Sequence, residues 1–234
     1  MKIRLSAIVL WILSVSSFLL ALKTSDDPAF HIFKDTLLES LFQKLPIGNT
    51  ILFNMSVGFL VSIIFYLLVV WLPDRRRKKL IKTNMKEQYR FFKEDTIAIL
   101  LSACQNRYES DFPRRLTDQG EFRKYFKEAV NESQNRWHVL LNGSNDRLLK
   151  DLLVELEILM NEVSYVLNNV TVEDPDVFSF FKRLSQAVYK LKNTTLAYDD
   201  KKQLSQFLWD LFAGWSFIDG YREDDIVSVM IEKI

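Results

Sequence analysis

Two histidines, one cysteine and two clusters of carboxylates are the residues of this 234-residue chain whose types suggest chemistry. Cys104 with His138 is the pairing a nucleophile and its base would need. Cys104, however, falls on the apolar face of a helical pattern, where a cysteine serves as a small core residue. No third group stands by to orient the pair. His31 and His138 lie in segments expected on opposite sides of a membrane, which excludes a two-histidine metal site within one chain. Asp199–Asp200 and Glu223–Asp224–Asp225 each precede a helical stretch, where carboxylates complement the helix dipole. They lack the alternating oxygen-ligand spacing of a calcium loop. The six glycines, Gly48, Gly58, Gly120, Gly143, Gly214 and Gly220, are too widely spaced for a phosphate-cradling loop or a dinucleotide fingerprint. The expectation is a protein that is not an enzyme, with no catalytic residue, no metal and no cofactor.

The elements around these residues divide by charge. Residues 1–82 carry 11 Lys/Arg against 5 Asp/Glu, a net +6, and residues 83–234 carry 20 against 25, a net −5. The basic part holds two long uncharged runs, Leu5–Leu22 and Ile51–Leu72. As helices they would cover about 27 and 33 Å, close to the roughly 30 Å of a bilayer's hydrocarbon core. The first run exceeds the apolar length of a signal peptide and has no small-residue cleavage pattern before Lys23. Cations stay on the cytoplasmic side of a span. Lys2 and Arg4 precede the first run; Arg75, Arg76, Arg77, Lys78, Lys79 and Lys82 follow the second. The expected topology is a two-span hairpin in a bacterial inner (plasma) membrane, with both termini cytoplasmic. Residues 1–82 form its membrane anchor, and 75–82 can also hold anionic lipid headgroups. Trp71 suits the interface, and Pro73 is expected to break the helix there.

Between the spans, residues 23–50 form a short external loop. Asp27 and Pro28 can start a helix with Phe30, Phe33, Leu37 and Leu41 on one face, ended by Pro46 and Gly48. Within the spans, Ser14, Ser17 and Ala21 form one small-residue stripe and Asn54, Gly58 and Ser62 another. Such stripes let helix backbones approach closely in lipid, within a chain or between copies, and they predict a homo-oligomer. No ionisable residue sits in either span, so the usual mark of an ion path is missing.

Residues 83–234 are dominated by helical periodicity. Helical patterns cover Lys86–Ser110, Asp118–Gly143, Ser144–Asn169, Glu173–Asn193, Asp199–Phe217 and Asp219–Ile234. The second presents Phe122, Phe126, Ala129, Ser133, Trp137 and Leu140. The third, with Leu149, Leu152, Leu156, Leu159, Val163 and Val166 in one seam, is wide enough in its apolar face to be central. The fourth buries Phe178, Phe181, Leu184, Val188 and Leu191. The fifth buries Leu204, Phe207, Leu208, Leu211 and Trp215, and Asp219–Gly220 reads as a turn. No period-two alternation argues for a sheet. The fold class is all-α: a transmembrane hairpin followed by a cytosolic bundle of five or six helices.

One segment holds more aromatic surface than a single helical face can bury. Phe207–Tyr221, "FLWDLFAGWSFIDGY", contains Trp209, Phe212, Trp215, Phe217 and Tyr221. Large aromatics in excess of a core's needs serve interfaces as anchors, and an aromatic-rich core corner is the other reading. Nucleic-acid binding is disfavoured by the net charge of −5. The expected function is that of a non-enzymatic membrane anchor presenting a helical interaction or sensing domain to a cytosolic protein partner. The alternative is a membrane-disrupting or channel-forming effector gated by that domain. In outline, without a shared motif, that plan resembles the membrane-disrupting proteins of bacterial phage defence.

Overall fold

A computed structural model describes residues 2–25, 45–104, 108–192, 195 and 197–234, with side chains from Ile8 onward. The expected external helix of Phe30, Phe33, Leu37 and Leu41 lies outside the described residues. The chain is predominantly helical and divides into two compact units, residues 1–77 and 78–234.

In the first unit, α1 (Lys2–Thr24) packs against α2 (Asn49–Tyr66). Gly48 precedes α2 with φ 90°, a left-handed conformation that glycine adopts without steric cost. The Asn49 carboxamide clamps this turn, accepting from the Leu45 N–H at 3.0 Å and donating to the Leu45 carbonyl at 2.6 Å. The expected break at Pro73 does not occur. The backbone stays helical from Asn49 to Cys104, widening into a π turn over Leu67–Trp71 before α3 (Leu72–Cys104). Proline has no N–H for the carbonyl four residues back and crowds it. The wider turn, in which the Leu72 N–H reaches the Leu67 carbonyl, accommodates the misfit just upstream. Among the described residues, Asn49–Cys104 is the one helix long and apolar enough to cross a membrane; the apolar part described in α1 is the shorter Ile8–Thr24.

In the second unit, α3 buries Ile81, Met85, Tyr89, Phe92, Ile97, Leu100 and Leu101 along one face. They meet the Leu149, Leu152, Leu156, Leu159, Val163 and Val166 seam of α7 (Asp146–Asn169) in one hydrophobic cluster. Phe181, Val188 and Leu191 of α8 (Pro175–Leu191) join it. Phe178 does not: it is 43% exposed, and Val177, one position round the helix, is buried instead. Side-chain caps start most of these helices. Asn145 accepts from the Leu148 N–H, Asp174 from Asp176, and Asp118 from Gly120 and Glu121.

The single helix expected over 118–143 is three elements. After the four-residue α4 (Phe112–Arg115), α5 (Gln119–Lys127) ends at Glu128, whose ψ of 131° is extended. A small hairpin, β1 (Ala129–Asn131) with β2 (Gln134–Asn135), leads to α6 (Arg136–Asn142). The Asn131 carboxamide accepts from the Ser133 N–H at 3.1 Å, and Asn135 caps α6 through the His138 N–H at 2.9 Å. Both side chains offer the backbone a local partner that competes with a continued helix. Ala129 and Ser133, expected in the core, are therefore exposed, whereas Phe122, Phe126, Trp137 and Leu140 are buried. Cys104 is a further correction: at the end of α3 it is exposed.

The fifth helix of the expected series, Asp199–Phe217, also stops early. α9 (Tyr198–Phe212) ends before Gly214, whose φ of 62° turns the chain out of the helix. Trp215 therefore lies in a strand: β3 (Trp215–Ser216) pairs with β4 (Gly220–Tyr221) in antiparallel register. α10 (Ile226–Glu232) follows, capped by Asp225.

Candidate functional site

The aromatic segment is sorted by the fold into three environments. Phe212 is core, 3% exposed, and stacks on Phe92 and Phe122 with centroids 5.8 and 5.5 Å away. Trp209 is half-buried against Phe122 and Trp137. Trp215, Phe217 and Tyr221 belong to the β3–β4 hairpin, where Trp215 and Tyr221 face each other with rings 4.8 Å apart.

The hairpin has a firm base and an apolar tip. Two strand residues on each side flank the three-residue loop Phe217–Ile218–Asp219, and Gly220 holds the left-handed position with φ 73°. Within the loop, Ser216 Oγ accepts from the Ile218 and Asp219 N–H groups, each at 3.3 Å. The Arg222 guanidinium donates to the Asp219 carboxylate, with Nε at 3.2 Å. Arg123 of α5 fixes the base from outside, donating to the carbonyls of Ala213 at 2.8 Å and Arg222 at 3.3 Å. Arg123 and Lys127 also lie over the Tyr221 ring, at 5.1 and 4.2 Å. At the tip, Phe217 is 98% and Ile218 89% exposed. Ile218 lay outside the residues singled out from sequence; its place beside Phe217 between two strand-forming pairs is the signal that could have found it.

The other residues singled out from sequence are dispersed. Arg75, Arg76, Arg77 and Lys79 are exposed, and Arg75 lies 4.7 Å over the Trp71 ring. Lys78 is half-buried; Lys82 pairs with Glu232 of α10 at 3.5 Å, beside the Lys86–Glu232 pair. Ser14, Ser17 and Ala21 lie on the least exposed side of α1. On α2 the buried small residue is Ser56, whereas Asn54, Gly58 and Ser62 are exposed.

Two ionisable arrangements stand out in the second unit. Asp225 is 15% exposed and accepts from the Tyr89 hydroxyl at 3.0 Å, Lys93 Nζ at 2.9 Å and the Val227 and Ser228 N–H groups. Burial first, then the Asp225 charge and hydrogen bond, hold the Tyr89 phenol well above its ordinary range. The Cys104 thiol is raised as well, by partial desolvation at the end of α3, with the Arg136 charge pulling the other way. A raised thiol carries less thiolate, the reactive form, near neutral pH. Among the described residues no group of three or more His, Cys, Asp or Glu side chains is placed to hold a metal.

Comparison with protein-family models, with curated proteins and with solved structures finds no match for this chain.

Proposed function

We propose that this is a non-enzymatic integral membrane protein of the bacterial inner membrane, self-associated, that presents its helical domain to a cytosolic protein partner. α1 and the stretch from Asn49 to about Leu72 are its two spans, and the basic side chains from Arg75 onward keep residues 78–234 on the cytoplasmic side and meet anionic headgroups. The first unit's outward surface supports the anchor: Trp11 is 69%, Ile51 67%, Phe65 64% and Val69 66% exposed. A water-soluble protein rarely leaves so much contiguous apolar surface uncovered.

The observation that carries the interaction reading is the β3–β4 tip. Two large apolar side chains stand almost fully exposed on a loop held by hydrogen bonds at its base. An anchor already fixed in its bound shape loses little freedom on docking, which favours affinity. Phe217→Ser with Ile218→Ser should abolish partner recovery after in-cell crosslinking while leaving the melting temperature unchanged. Full recovery by that variant would overturn the interaction reading.

A second reading, a membrane-disrupting or channel-forming effector gated by the helical domain, draws on the exposure of Asn54, Gly58 and Ser62. A weakly polar stripe on the outer side of a span is suited to meeting further copies of the chain. Induced expression beside a membrane-potential dye separates the two readings: depolarisation supports the effector, and a steady potential supports the anchor.

A further inference from the structure

A cavity of about 360 Å³ opens between α6 and α9, within the range of roughly 300–1,000 Å³ typical of small-ligand sites. Its charged lining is of one sign. Lys127, Lys201 and Lys202 line it, the Lys127 ammonium also lying 4.2 Å over the Tyr221 ring, and among the described residues no carboxylate does. Of the carboxylates in adjoining segments, Glu128 pairs with Arg136 at 2.9 Å, Asp200 accepts from Thr195 at 2.7 Å, and Asp210 accepts from the lining residue Gln206 at 2.6 Å. Lys201 lies in the first turn of α9 with Lys202 just after it, and the Asp199 and Asp200 carboxylates of that turn meet the positive end of the helix dipole.

The walls are aromatic. Trp137 and Trp209 form an edge-tilted pair 5.2 Å apart, and Tyr198, 73% exposed, stands at the rim. Trp137 is locked by its Nε1–H donating to the buried Ser205 hydroxyl at 3.2 Å. Hydrogen-bonding edges complete the lining. The Gln206 amide nitrogen is held by Asp210, which leaves its carbonyl oxygen to accept, and Asn142 offers a carboxamide.

Lysine cations, aromatic walls and amide edges in one small cavity match one ligand chemistry. The phosphate of a nucleotide suits the ammonium groups, the base suits the aromatic faces, and its edge suits the amides. We propose that this cavity binds a free nucleoside phosphate. A polynucleotide fits less well, because residues 83–234 carry a net −5, with 20 Lys/Arg against 25 Asp/Glu. Neither tip residue, Phe217 or Ile218, lines the cavity, and the proposal does not depend on the partner-binding or membrane readings.

The test uses the full chain in neutral detergent at about 0.1 M salt, where charge interactions between exposed groups still act over roughly 10 Å. Quenching of tryptophan fluorescence, cross-checked by ligand-observed NMR, is measured with AMP, GMP, CMP and UMP, and with adenosine, ribose 5-phosphate, inorganic phosphate and a 20-nucleotide single-stranded RNA. At least one nucleotide should bind with Kd below about 1 mM, and ribose 5-phosphate, phosphate and adenosine about tenfold more weakly or worse. Lys201→Glu with Lys202→Glu, both near the surface, should weaken nucleotide binding about tenfold or more at unchanged melting temperature. Tyr198→Ala should weaken it too. The inference is overturned by no nucleotide signal up to about 10 mM, by equal binding of ribose 5-phosphate or adenosine, by indifference to the charge reversal, or by RNA binding far tighter than any mononucleotide.

Discussion

Removal of the Asp225 carboxylate should cost the helical unit dearly. This carboxylate joins α10 to α3 through Tyr89 and Lys93 and caps α10 through Val227 and Ser228. Asp225→Ala removes a cap worth about 0.5–2 kcal/mol. It also leaves the phenol of Tyr89, a residue only 2% exposed, without its acceptor, at about 1–3 kcal/mol. Lys93, 15% exposed, loses its counter-charge, but solvent access discounts the full penalty of a broken buried pair. These losses share one group and do not add, so the expected total is about 3–4 kcal/mol. Asp225→Asn keeps an oxygen for the cap and for Tyr89 and loses the charge, which should cost about 1–2 kcal/mol. Tyr89→Phe, leaving no orphaned hydroxyl, should cost about 1 kcal/mol. Thermal and denaturant unfolding of the full chain in detergent, followed by circular dichroism, measures the series. If Asp225→Ala and Asp225→Asn fall together, or both lie within about 0.5 kcal/mol of the parent, the reasoning about this junction is wrong.

Other outcomes follow from the same geometry. Gly214→Ala should destabilise by about 2–4 kcal/mol, because alanine resists φ 62° and its Cβ would overlap the Gln119 carboxamide; a melting curve reads this directly. Glu155 is held above the usual carboxylate range by burial and then by Asp95 and Asp151, so its ionised form opposes folding. Glu155→Gln should therefore melt higher than the parent at pH 7. That gain should fade as pH falls through the folded-state value toward the ordinary one, because the parent then protonates and sheds its penalty; a gain that persists at acid pH would refute the assignment. Phe212→Ala should lose about 3–5 kcal/mol, whereas Phe217→Ala should lose less than about 0.5, a contrast the same unfolding assay reads.

Much of the fold was legible in the sequence where periodicity is long. The α7 seam from Leu149 to Val166 is buried as its spacing implies, and Asp225 of the Glu223–Asp225 cluster caps the helix it precedes. The departures are local. Asn131 and Asn135 redirect the chain through side-chain hydrogen bonds that a pattern of apolar residues does not register. At Pro73 the helical register itself widens instead of breaking, a response that composition alone does not reveal. The aromatic cluster was visible, but its division into core, cavity wall and exposed tip depends on the turn at Gly214. The cavity between α6 and α9 was not legible, because Trp137 and Lys201 are separated by more than sixty residues and meet only through the packing of two helices.

In the proposed topology the charge asymmetry keeps residues 78–234 inside the cell, and the chain carries its own probe for that placement. Cys104 is the single cysteine and is exposed at the end of α3. A membrane-impermeant maleimide applied at mildly alkaline pH, to favour the raised thiol, should leave the protein unmodified in intact cells with a permeabilised outer membrane. It should modify the protein once the inner membrane is opened. Labelling of Cys104 before that opening would place the helical unit outside and contradict the account.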